Sequence, residues 1–95
     1  MLNVVYHNIK IEEYKNTNQL VIKGEITNNS SRSYSAVAVR VVIFNKNIVI
    51  ANMVFTINGL LNGANKEFEK IVENLEYKRV FKDITRYEIY TESAY

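Results

Sequence analysis

A chain of 95 residues has room for one domain of common size, taken here as residues 1–95. Apolar residues make up 47% and charged residues 23%, which excludes a disordered chain, and no run approaches the roughly 18 apolar positions of a membrane helix. A net charge of +2, with basic residues interleaved among Glu12, Glu25, Glu67, Glu69, Glu73 and Glu76, is too weak to mark a nucleic-acid surface. The absence of cysteine removes disulfides, thiolate metal sites and thiol nucleophiles together.

The N-terminal MLNVVYHNIK lacks the layout of a signal peptide. This fits a cytosolic protein or a segment of a longer exported chain. Val5, His7, Ile9 and Ile11 alternate with Tyr6, Asn8, Lys10 and Glu12, which predicts a first strand with the former set facing the core. Gln19 to Asn28 gives the clearest alternation, with Leu20, Ile22, Gly24 and Ile26 on one face. Asn28-Asn29-Ser30-Ser31-Arg32-Ser33 breaks it, because Asn and Ser side chains bond nearby backbone groups and compete with a ladder.

From Tyr34 to Phe44, Val37, Val39, Val41 and Ile43 form a core face, and the opposite face of Ala36, Ala38, Arg40, Val42 and Phe44 is unusually apolar. Asn45-Lys46-Asn47 is a tight hairpin connection, and Ile48 to Ile57 returns with Val49, Ala51, Met53, Phe55 and Ile57 predicted inward. Asn58 to Asn65 is a loop with two glycines, and Lys66 to Val72 a shorter strand that buries Phe68. In the stretch near residues 74–83, extending to Ile84, the residues Tyr77, Val80, Phe81 and Ile84 fall at i, i+3, i+4 and i+7. That spacing suits a short helix crossing between sheets, while Tyr, Val and Phe are equally strand formers. Thr85 to Thr91 closes the chain with Tyr87 and Ile89 on one face. The fold class expected is all-β: an antiparallel immunoglobulin-like sandwich of about six to seven strands, with one short helix near residues 74–83.

Three stretches resemble the FxLYD domain family, immunoglobulin-like modules of prokaryotic envelope proteins and lipoproteins. Gly24-Glu25-Ile26-Thr27-Asn28-Asn29-Ser30 is similar to the family's strand ending in an Asn-rich turn, and Val41-Val42-Ile43-Phe44-Asn45 stands in the place of the eponymous motif. Leu61-Asn62-Gly63-Ala64-Asn65-Lys66-Glu67-Phe68 is similar to its Leu-x-Pro-Gly turn and buried Phe. The motif's Phe, Leu, Tyr and Asp are here Val41, Ile43, Phe44 and Asn45, and the turn proline is Asn62. The resemblance spans about residues 20–72. It implies a sandwich and an extracytoplasmic, envelope-associated setting, and it transfers a fold rather than an activity.

Chemistry-bearing residues are sparse. His7 is the one histidine and Asp83 the one aspartate, so a metal site or a Ser-His-Asp triad lacks parts. Glu12 and Glu13 are neighbours on a strand and point to opposite faces, while Glu67 and Glu69 share a face flanked by Lys66 and Lys70 as a solvated edge. Asn28-Asn29-Ser30 and Asn29-Ser30-Ser31 match the glycosylation sequon by composition. No enzyme activity, cofactor, metal or small-molecule substrate is expected. The expected partner is another protein or a second copy of the chain, seated on Val42, Phe44, Ile48, Ile50 and Val54, the apolar residues opposite the core. The alternative is single-stranded nucleic-acid binding by a small barrel, through Tyr77-Lys78-Arg79, Phe81-Lys82 and Arg86-Tyr87.

Overall fold

Two central strands organise the fold. The computed structural model describes residues 3–95, and Met1 and Leu2 lie outside it. Among the described residues, six strands form two antiparallel three-stranded sheets. In the first, β1 (Val4–Tyr14) and β5 (Asn65–Glu76) flank β2 (Gln19–Asn28); in the second, β4 (Ile48–Leu60) and β6 (Arg86–Ala94) flank β3 (Tyr34–Asn45). β2 and β3 supply Leu20, Ile22, Ile26, Val37, Val39, Val41 and Ile43, every one fully buried. These are the strands whose sequence alternates most strictly, because each has one face committed to the other sheet.

The chain passes between sheets three times, and each passage has its own device. Asn28 ends β2 and is wholly buried, its side chain tying the first passage to the second. Leu61–Ala64 returns the chain through a turn whose Gly63 has φ +78°, open to glycine at no steric cost. The third passage is α1 (Tyr77–Val80) with a single 3₁₀ turn, Phe81–Asp83. Tyr77, Val80 and Ile84 pack against the core from this passage, so the helical spacing is realised as a crossing element. No helix among the described residues is long and apolar enough to cross a membrane.

Two β-bulges change the face assignments expected from strict alternation. Asn8 has φ +56° and the β1–β2 register shifts between His7 and Lys10. One extra residue reverses the parity of everything before it. Tyr6, Ile9 and Ile11 therefore pack on the core, while Val5 and His7 turn outward with Val5 40% exposed. The β3–β4 register shifts between Ile43 and Phe44, so that Ala51 opposes Ile43 but Val49 opposes Phe44. Val49, expected inside, is 51% exposed; Ile50, expected outside, packs against the core.

Gly24 permits the first bulge. A Cβ there would collide with Cδ1 of Ile9 and approach Cζ of Phe68 at 3.2 Å and the His7 carbonyl at 3.3 Å. Phe68, in register with Gly24, fills this space and lies 5.5 Å from the Phe55 ring across the sandwich.

Candidate interaction surface

The outer face of the β4-β3-β6 sheet is built from cross-strand rows. Val54, Arg40 and Tyr90 form one, Asn52, Val42 and Glu88 the next, and Val49, Phe44 and Arg86 the third. Non-local pairing of β3 with β6 brings Tyr90 beside Arg40, fifty positions earlier in the chain.

Arg40 is fixed at the centre. Its Nε and Nη2 donate to the two carboxylate oxygens of Glu92 at 2.9 and 3.1 Å, and Nη1 donates to Asn52 Oδ1 at 2.6 Å. The Glu92 carboxylate raises the guanidinium pKa further above its ordinary value. A forked pair of this kind holds a long side chain in one geometry before anything binds. The third row is covered from within: the Arg86 guanidinium lies 3.7 Å from the centroid of the Phe44 ring and bonds Glu88 at 3.0 Å.

The five residues expected on this face therefore divide. Val42 is on it but only 8% exposed, between Asn52 and Glu88 in register. Phe44 is on it beneath Arg86. Val54 is on it and 48% exposed. Ile48 stands at the hairpin tip, 70% exposed, and Ile50 belongs to the core side of the bulge. Two apolar contributors were missed from sequence: Val49, hidden by the bulge, and Tyr90, 45% exposed and recognisable only once β6 is known to pair with β3. Beside this face, the edges of β4 and β5 enclose an open groove of about 560 Å³, lined by Ile50, Met53, Val54, Ile71, Val72 and Leu75 among others.

The aromatic and basic residues between Tyr77 and Tyr87 make several separate contacts. Tyr77 stacks on Phe81 at 4.9 Å with rings 10° apart while also packing on the core. Arg79 pairs with Glu76 at 3.3 Å, Arg86 lies over Phe44, and Tyr87 stands opposite Ile43 on the core side of β6.

On the opposite sheet, the bulge aims Asn8 at Glu25, to whose carboxylate it donates, and Asn65 donates to the same carboxylate at 3.0 Å. These two amides hold the Glu25 carboxyl below its usual range. His7 Nε2 is 3.2 Å from Thr27 Oγ1 and 3.8 Å from Glu25, which makes it a member of a hydrogen-bonded surface network. Nearby, Lys23 and Glu12 pair at 2.5 Å, raising the lysine pKa and lowering that of the carboxyl. Glu67 and Glu69 share this outer face, opposite Glu25 and Lys23. Among the described residues, no three His, Asp or Glu side chains gather as a metal site would require. The chain matches no protein-family model, no curated protein and no solved structure.

Proposed function

We propose that this domain is a non-catalytic protein–protein interaction or envelope-structural module of the FxLYD type, docking through the outer face of β4-β3-β6. The pairing order supports an immunoglobulin-like assignment. In such sandwiches strands A, B and E share one sheet, and C neighbours F in the other. Here β1, β2 and β5 take the first set, β3 and β6 stand as C and F, and β4 holds the C′ edge.

The observation that carries the docking reading is the row Val54–Arg40–Tyr90. An immobilised arginine lies between two exposed apolar side chains at the centre of a sheet face. Tyrosine and arginine are the residue types that dominate binding hot spots, and pre-ordering the arginine lowers the entropy cost of association. The polar cluster around Glu25 satisfies itself with amides and offers no such centre.

The simplest occupant is a second copy, since one patch meeting itself about a two-fold axis closes without further partners. Light scattering across a concentration series tests this, comparing wild type with Val54→Lys plus Tyr90→Lys. Wild type should rise toward twice the monomer mass and the double variant should stay monomeric. A wild type that remains monomeric, or a dimer indifferent to both substitutions, overturns it.

A further inference from the structure

Four strands form sheet edges in this sandwich: β1 and β5 in one sheet, β4 and β6 in the other. An edge strand presents backbone N–H and C=O groups without ladder partners, and soluble proteins blunt such edges with charges, bulges or cover. Three of the four are blunted here. β1 carries Lys10, Glu12 and Glu13 and the Asn8 bulge. β5 carries Lys66, Glu67, Glu69, Lys70, Glu73 and Glu76. β6, the shortest at nine residues, carries Arg86, Glu88 and Glu92. β4 is the longest strand, thirteen residues, and has no Asp, Glu, Lys, Arg or Pro.

Resting on the reading that a second copy is the occupant, we infer that the copies meet along the β4 edge at Val54 rather than over Arg40 and Tyr90: β4 pairs antiparallel with β4 of the second copy, joining two sheets into one of six strands. Charge chooses the occupant. An antiparallel strand meeting its own copy brings identical residues close around the two-fold axis. Done with β6 about its centre at Tyr90, this would set Glu88 against Glu92 of the other copy, whereas β4 has no charge to oppose in any register.

The geometry also sets the register. The β4 ladder is regular between the bulge at Ile50 and Gly59, whose φ of +67° ends extended geometry. The centre of β4 as a whole, Ile48–Leu60, falls at Val54. Pairing about Val54 sets Asn52 against Thr56 and Met53 against Phe55 of the other copy. On the outer face it brings two valines together. On the inner face it lays Met53 of each copy beside the β4–β5 groove of the other, whose lining mixes Ile71, Val72 and Leu75 with Lys70 and Glu73.

The chain contains no cysteine, so single substitutions report proximity without interference. Asn52→Cys, Val54→Cys, Thr56→Cys and Tyr90→Cys, each oxidised at dimer-forming concentration, distinguish the arrangements. Edge pairing about Val54 predicts disulfide-linked dimer mainly for Val54→Cys, at least fivefold above Asn52→Cys and Thr56→Cys, with little for Tyr90→Cys, because the bridge needs Cα atoms within about 7 Å. The mixture of Asn52→Cys with Thr56→Cys should yield heterodimer in excess of either homodimer. A face-to-face dimer would cross-link at Tyr90→Cys instead; that overturns edge pairing and leaves the docking reading standing. A chain that is monomeric by light scattering and cross-links nowhere overturns both. Val54→Thr keeps the strand and its size and should still dimerise, whereas Val54→Lys, which places two charges on the axis, should raise the dissociation constant at least tenfold with the fold intact by circular dichroism.

Discussion

Asn28 Nδ2 donates to the Leu60 carbonyl at 3.1 Å, joining the end of β2 to the end of β4 across the two sheets. The same amide nitrogen donates to the Arg32 carbonyl at 2.9 Å, and Oδ1 accepts from Ser30 N at 2.9 Å and Ser30 Oγ at 2.6 Å. Backbone bonds from Asn28 N to Ala64 O and from Gly63 N to Asn28 O complete the knot. A single buried side chain thereby satisfies two sheet-to-sheet passages.

Removing it leaves buried acceptors without donors, which costs more than the bonds themselves were worth. Asn28→Ala should lower unfolding free energy by about 2–3 kcal/mol in urea titrations. Asn28→Asp should cost at least as much, because it keeps the shape, loses both N–H donors and introduces a buried charge. Loss under 0.5 kcal/mol for both would show that the passages hold themselves.

Gly24 on β2 lies between Ile9 of β1 and Phe68 of β5. Gly24→Ala should destabilise by about 1–3 kcal/mol through overpacking against Ile9 and Phe68. The nearest obstruction is the tip of Ile9, so Ile9→Ala in the same chain should make the glycine change cheaper. A double-mutant cycle reads this as a coupling energy, and purely additive costs would place the strain elsewhere.

The same bulge explains what the sequence could and could not disclose. Alternation in β2 and β3 identified the core because both strands are central and bury one face continuously. It could not locate the extra residues at Asn8 and Ile50, since Ile48-Val49-Ile50-Ala51 is apolar at every position and fits either parity. Val21 is a related case: it lies on the side of β2 opposite Leu20 and Ile22, between Glu12 and Ile71 in register, yet is only 1% exposed. On the candidate face, Val54 was legible from local pattern alone. The Arg40–Tyr90 and Arg40–Glu92 neighbours were not, because they depend on which distant strand lies beside β3.

Lys46 holds φ +56° at the tip of the β3–β4 hairpin, a region that costs a residue with a Cβ about 1 kcal/mol. The backbone N–H of Lys46 donates to Thr85 Oγ1 at 2.6 Å, a bond any residue but proline retains. Lys46→Gly should therefore raise the melting temperature by a few degrees, about 0.5–1 kcal/mol at this chain length. The gain is trimmed by the larger unfolded-state entropy of glycine. A lower melting temperature would mean that the lysine side chain stabilises the hairpin in its own right.

Tyr6 Oη lies 2.6 Å from Thr91 Oγ1, linking β1 to β6 on the side of the sandwich opposite the β4–β5 groove. Burial raises the phenol pKa above its usual value, and the bond to Thr91 only partly opposes this. The folded state thus holds its proton more tightly than the unfolded chain, whose tyrosines titrate near pH 10. The resulting stability is fully present below about pH 10 and is lost as pH rises through the higher folded value. Tyr6→Phe removes the hydroxyl and should cost about 1 kcal/mol at neutral pH. It also removes the group whose ionisation the fold resists, so the stability gap between wild type and variant should hold steady up to about pH 10 and close as pH rises above it. Urea unfolding of both proteins on either side of about pH 10 measures the gap directly; a gap that stays constant would show that ionisation of Tyr6 is not what the fold resists.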